Sequence, residues 1–339
     1  EEMQMEKGLI TLIVPCYNVG KTLERFLQSV LKQTYRHIQI VFIDDGSTDN
    51  TATILKKYQP IFSSAKMKMQ YIYQKNAGLG SAINTGLKYI EGEYLCWADP
   101  DDFYMKDSME KRINILKKNE DYAIVTSDAY YYRFNDLNNP IKKASEGMEN
   151  CFDEKQFEYL LNEKSIFCPG CHMIRVSALK EVNPKCEIYP ARRGQNWQLL
   201  LPIYYKYKRF FLDEPLYGYV IYAQSMSQGD VTKEKVLERW EEHEKILNET
   251  LKRMNMDSKD LEKYLKMVQV RYIKKRFFTA IDYKDKKLIK QQYNLLKINE
   301  ESRKELKLLY YRNEYLIIKI LCKVLEKIKR RNKLICHHV

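Results

Sequence analysis

The chain has 339 residues, 45% hydrophobic and 30% charged, which suits a folded globular protein with room for one large domain plus an appendage, or for two domains. No run of about 18 uncharged apolar residues occurs, which excludes an ordinary transmembrane helix. The net charge of +13 is unevenly placed: residues 1–230 hold 29 basic and 29 acidic groups, and residues 231–339 hold the other 29 basic groups and 16 acidic ones. The C-terminal third therefore either meets something anionic or is a solvated, lysine-rich helical surface.

Strands and helices alternate from the start. "LITLIV" (9–14) reads as a strand leading into "PCYN". Residues 20–33, "GKTLERFLQSVLKQ", bring Leu23, Phe26, Leu27, Val30 and Leu31 to one face at helical spacing. "IQIVFI" (38–43) is a second strand, followed by "DDGSTDN" and a helix over 49–59. "MQYIY" (69–73), a helix over about 79–90, "EYLCWA" (93–98), a helix from about 108 and "YAIVTS" (122–127) continue the series. Asp107 followed by Glu110 gives the helix at 108 a start like a capping box. Such alternation builds βαβ units on a mainly parallel sheet, whose ligands bind beyond the carboxyl ends of the strands.

From about 128 to 165 the pattern loosens into turn-rich, aromatic text. "IFCPGCHMIRV" then reads as a strand leading to a helix start at Ser177. Residues 194–208 read as a mostly buried helix that Pro202 is expected to kink or break. "FFLDEPLYGYVIY" reads as strand with a turn, and beyond Gly229 the text is helical, with neither Pro nor Gly. Eight cysteines are spread along the chain. The N-terminal residues lack the features of a secretory signal, so the cysteines are expected to stay reduced in the cytoplasm.

The stretch "EYLCWADPDDF" ends a strand with three carboxylates, Asp99, Asp101 and Asp102. Carboxylates this close repel one another unless something cationic sits among them. A hard divalent cation, Mg2+ or Mn2+, removes that repulsion and binds through one or two carboxylates plus substrate phosphates. The plainer alternative is an acid-rich loop opening a helix. "CPGCH" matches a haem-attachment pattern and holds a Cys-x-x-Cys, but a single such pair is at most half a zinc site, and structural use is expected. "GLGSAINTG" fits a dinucleotide fingerprint poorly, both in the strand before it and in the missing later acid.

"VPCYN" after the first strand, "IDDGSTD" after the second, "KNAGLGSAINTG" after the third and "EGEYLCWADPDDF" at the fourth occur in order. With them the chain, over about residues 9–225, resembles the family 2 inverting glycosyltransferases of GT-A fold. The resemblance implies a nucleotide-sugar site in which Pro15, Tyr17 and Asp45 cradle base and ribose. Tyr17 stacks on the base, and Asn76 and Gly78 let the backbone approach the donor. It implies that Asp99 lies near the ribose and that Asp101, with Asp99, holds the metal.

One motif departs from that pattern. The family's general base is usually an Asp in an acidic pair before a Trp and a helix. Counting back from "LDEPLY", the position here is Asn196, preceded by Gln195 in "RRGQNWQLLLP", and neither amide accepts a proton at neutral pH. The base then comes from elsewhere, such as His172 or an acid within 128–154; or the acceptor needs little deprotonation; or the protein binds a sugar nucleotide without efficient transfer.

The expected fold is α/β: a GT-A domain over 1–230 with a mainly parallel sheet flanked by helices, then a basic helical extension over 231–339. The expected function is metal-dependent, inverting sugar transfer from a uridine diphosphate sugar to a glycan or lipid-linked acceptor in cell-surface polysaccharide synthesis. A non-catalytic sugar-nucleotide-binding subunit is the alternative. Nucleic acid is not an expected partner. Residues 314–331, "EYLIIKILCKVLEKIKRR", are expected to form a basic amphipathic helix, suited either to an anionic membrane surface or to packing on the core or on another subunit; the first places the protein in the cytoplasm, peripheral to the membrane's inner face.

Overall fold

The computed structural model of the protein describes residues 5–222, 232–299, 301 and 303–314. It divides into two compact units, Glu1–Ser225 with Glu249–Asn255, and Met226–Asn248 with Met256–Val339.

The first unit opens with β1 (Glu6–Cys16), α1 (Leu23–Leu31), β2 (Ile38–Asp45), α2 (Thr51–Ser64), β3 (Lys68–Gln74), α3 (Leu79–Leu87) and β4 (Gly92–Trp97). β5 (Phe103–Tyr104), α4 (Ser108–Lys118), β6 (Tyr122–Arg133), β7 (Lys142–Lys143) and α5 (Phe157–Leu161) follow. β8 (His172–Arg175), α6 (Val176–Val182), α7 (Gln195–Lys206) and β9 (Lys208–Ile221) complete it. Among the described residues these strands form one nine-stranded sheet, ordered β3-β2-β1-β4-β8-β6-β9-β5, with β7 on β6.

β1 lies between β2 and β4, parallel to both. That central place explains its unbroken apolar run, since both of its faces are covered. All eight residues of β2 are buried. Its polar Gln39 is satisfied inside the sheet, accepting from Thr11 Oγ1 at 2.6 Å and donating to Gln70 and to the Tyr89 carbonyl. β3 is parallel to β2. β8 is antiparallel to β4 and to β6, and β9 is parallel to β6. The carboxyl ends of β1, β2, β3, β4, β6 and β9 thus share one rim. Behind it, α1 buries Leu23, Phe26, Leu27 and Val30 at the spacing expected of an amphipathic helix.

Four local expectations change. β6 runs on to Arg133, so "AYYYR" is strand: its tyrosines pair with β9 and pack on rings such as Tyr219 and Phe103. α7 continues through Pro202 as one helix, with most of its residues buried; packing outweighs the one hydrogen bond that Pro202 cannot donate. β9 passes Pro215 without a turn, absorbing it in a register shift opposite Asp128. The capping box at α4 does not form: Asp107 pairs with Lys111 at 2.6 Å, and Glu110 accepts from Thr34 Oγ1.

The second unit holds α8 (Lys233–Arg253), whose last turn groups with the first unit, α9 (Ser258–Asp282), α10 (Lys286–Ile298) and α11 (Lys304–Glu314). Asp257 and Asp285 cap α9 and α10, each side chain accepting a backbone N–H. Ile273, Phe277, Ala280, Ile289, Tyr293, Leu296 and Leu306 make its core, and Tyr310 stacks on Tyr293 at 4.1 Å. Among the described residues no helix is long and apolar enough to cross a membrane. The amphipathic stretch 314–331 lies outside the described residues apart from Glu314.

Candidate active site

Three loops meet at the rim. The loop after β1 is tied to the loop after β2: Asn18, at φ 52°, accepts from Thr48 N through Oδ1 and donates its own N–H to Ser47 Oγ, and Gly20 N donates to Asp49. Pro15 lies within β1 opposite Ile43. Tyr17 projects from the loop with 53% of its surface exposed, an open ring that can stack on a base. The loop after β2 is tied in turn to the loop after β3. Asp45, buried at the end of β2, accepts from Gln74 Nε2, Ala77 N and Gly78 N at 2.6–2.9 Å. Gly46 lies so close to Asn76 that a Cβ would stand 2.8 Å from its amide nitrogen. Asn76 itself is exposed, and Gly78 takes φ 90° at the start of α3, a conformation that favours glycine.

The carboxylates stand at the end of β4. Asp99, Asp101 and Asp102 offer oxygens that lie within 4.8 Å of one another. Burial raises the pKa of all three. Asp99 is pushed up to about 7 by burial and then by Asp101. Asp101 is raised by burial and drawn back first by its own backbone N–H and then by Arg25. Asp102 is raised well above the carboxylate range by burial, then by Asp101 and Asp99. Its two oxygens accept from Tyr217 Oη and Val220 N of β9, each at 2.8 Å. Asp102 thus anchors the turn, while Asp99 and Asp101 are the better placed for a ligand. An all-oxygen donor set of clustered acids suits Mg2+ or Mn2+.

Asn196 and Gln195 occupy the first turn of α7, both buried. Asn196 Oδ1 accepts the indole N–H of Trp97 at 2.6 Å, and its Nδ2 donates to the Phe167 carbonyl at 2.7 Å. This bond joins α7 to the last residue of β4, two positions before Asp99. His172 is fully buried, stacked on Trp97 with Nδ1 against Thr126 Oγ1. Burial, then Arg209 and Arg112, push its pKa down to about 3. Asp128 is also fully buried, accepting from Ala129 N, Ser145 N and Ser145 Oγ. Both groups are closed inside the protein, whereas Glu146, Glu149 and Asp153, also within 128–154, are exposed. Cys168 and Cys171 are free and buried, Cys168 just before a 3-10 turn, Pro169–Cys171, and Cys171 at its end. Arg112 holds that turn through the Gly170 carbonyl at 2.8 Å, which is structural use.

The sequence reading missed Trp97, Arg25, Tyr217 and Tyr222. Trp97 reads only as part of a strand, and nothing in the sequence singles out Arg25. The two tyrosines lie more than a hundred positions from the acids they support. No local spacing signals any of these contacts.

The profile described as "Glycosyl transferase family 2" matches residues 11–182. The glycosyltransferase GlyA of Streptococcus pneumoniae is 32% identical over 233 residues, covering 65% of this chain and 31% of that protein. An uncharacterized glycosyltransferase of Rickettsia typhi is 37% identical over 122 residues, 36% of each chain. The chain spans about a third of the length of these curated relatives. Among solved structures, S. aureus TarS 1–349 in complex with UDP-GlcNAc is similar at TM-score 0.61 and 16% identity, covering 90% of both chains. Mannosyltransferase PcManGT of Pyrobaculum calidifontis, in complex with GDP-Man and Mn2+, is similar at TM-score 0.50 and 14% identity, covering 94% of this chain and 87% of that one.

Proposed function

Because the chain belongs to the family 2 glycosyltransferases, we propose that it moves a sugar from a uridine diphosphate donor to a glycan or lipid-linked acceptor, with inversion and with a divalent metal. The observation that carries this reading is the cluster Asp99, Asp101 and Asp102, within 4.8 Å, on the rim where the loops of Tyr17, Asp45 and Gly78 are tied together. The neighbours solved with UDP-GlcNAc and with GDP-Man and Mn2+ support a nucleotide-sugar donor and a metal.

In this reading Tyr17 stacks on the base. Asp45 acts through the backbone it holds, presenting Asn76 and Gly78 to the donor. Asp101 and Asp99 supply oxygens for Mn2+ or Mg2+, and Asp102 keeps the turn on β9. When bound, the metal supplies Lewis-acid stabilisation of the leaving diphosphate. With Asn196, His172 and Asp128 all used inside the protein, the base is one of the exposed acids within 128–154, such as Glu146, Glu149 or Asp153, or the acceptor's nucleophile needs little deprotonation, for instance because it is itself ionised. The GT-A domain spans 1–230. The basic extension, 231–339, holds the protein at an anionic membrane surface, in a cell-surface polysaccharide pathway.

The test is release of uridine diphosphate from a panel of uridine diphosphate sugars, with and without Mn2+. Metal-dependent turnover supports the enzyme. A second reading, a sugar-nucleotide-binding subunit, is favoured by the amide at position 196, and it predicts donor binding with no turnover.

A further inference from the structure

The carboxylate turn is repulsive by construction, yet the fold holds it together from protein groups alone. Arg25, on α1, reaches behind it. Its Nη2 donates to the main-chain carbonyl of Asp101 and to Tyr222 Oη at 2.6 Å. Tyr222 Oη in turn donates to the same carbonyl at 3.1 Å. The guanidinium carbon stands 6.0 Å from the centre of the Phe103 ring, so the ring of the next strand backs the charge. Arg25 Nε is buried and makes no hydrogen bond among the described residues. Nothing in these contacts requires Asp101's carboxylate, whose oxygens stay with Asp99 and Asp102.

We infer that Arg25, held by Tyr222, is the counter-cation of this turn: a positioning residue that keeps the three acids together before a metal binds and limits how tightly the metal is then held. The inference rests on the metal reading above. Two consequences follow from charge alone. Without a metal, the guanidinium offsets part of the repulsion among the acids, so the turn keeps its shape. With a metal, the same positive charge opposes the incoming cation, so affinity is lower than three acids alone would give. A metal held loosely can leave with the diphosphate product.

The experiment measures melting temperature in EDTA and in Mn2+, and Mn2+ affinity by electron paramagnetic resonance of the free ion. The probe is the metal alone. It compares the full chain with Arg25→Met, Arg25→Lys and Tyr222→Phe. Arg25→Met should melt lower than wild type in EDTA and recover most of the difference in Mn2+. It should bind Mn2+ roughly tenfold more tightly, the size of effect that one nearby charge has on a carboxylate. Arg25→Lys should stay near wild type in both solutions. Tyr222→Phe, which removes only a hydroxyl, should shift affinity in the same direction by a smaller factor. An equal loss of melting temperature in EDTA and in Mn2+, or weaker Mn2+ binding in Arg25→Met, would overturn the inference while leaving the metal reading in place. A wild-type chain that binds no Mn2+ would overturn both.

Discussion

Trp97 donates its indole N–H to Asn196 Oδ1 at 2.6 Å, and the other end of the same amide donates to the Phe167 carbonyl. An amide satisfies both neighbours because it accepts at one end and donates at the other; a carboxylate cannot. Asn196→Asp should therefore set a buried acid against a carbonyl and lose about 1–3 kcal/mol, read by urea denaturation. Asn196→Ala leaves both partners unpaired and should lose a similar amount. If Asn196→Asp instead keeps full stability and gains transfer on the 10²–10⁴ scale of a positioned base, the binding-subunit reading is the better one.

His172 makes stability depend on acid. Its folded pKa is pushed down to about 3 by burial, with Arg209 and Arg112 adding to it, from an ordinary value of 6.5. The unfolded chain therefore takes up the proton first. The stability from a neutral His172 is fully present above pH 6.5 and falls as pH drops toward 3. Between pH 7 and pH 5 the loss should be about 2 kcal/mol. His172→Phe, which keeps a ring on Trp97, should show a loss smaller by that amount in denaturation curves at the two pH values. Parallel curves would contradict the assignment.

Gly46 takes φ +78° where a Cβ would stand 2.8 Å from the Asn76 amide nitrogen. Gly46→Ala meets both strain and contact, and should cost about 1–3 kcal/mol. Because that contact sets the loop after β3, stabilisation of the variant by uridine diphosphate in a thermal-shift titration should also weaken. Unchanged nucleotide response would separate this loop from the donor site.

The basic extension gives a membrane prediction. Each of its basic groups near anionic lipid is worth roughly 1 kcal/mol. The full chain should float with vesicles containing phosphatidylserine, and a chain ending near 310 should be recovered less. Equal recovery would mean that residues 314–331 serve another contact.

Much of the first unit was legible from sequence, because central parallel strands such as β1 and β2 announce themselves as apolar runs and α1 as a 3.6-residue stripe. The acids at the end of β4 were legible for a related reason: charge directly after a buried strand is conspicuous. What was not legible depends on partners far along the chain. "AYYYR" reads as loose text until β9 lies beside it. Pro202 reads as a kink or break even in a helix expected to be buried, yet α7 runs through it. Arg25 carries no signal until Asp101 and Tyr222 close on it. Asn196 was found by counting back from "LDEPLY" to the family's base position, but Trp97, its hydrogen-bond partner, is 99 positions away.

The most direct test of the account is uridine diphosphate release from uridine diphosphate sugars by wild type, Asp101→Asn and Asp102→Asn, each in Mn2+ and in EDTA, with donor binding followed by calorimetry. The account predicts release by wild type only with metal, loss of metal-dependent binding and release in Asp101→Asn, and a smaller loss in Asp102→Asn, whose amide can still accept from Val220. Full Mn2+-dependent affinity in Asp101→Asn, or equal release by wild type in EDTA, would contradict it.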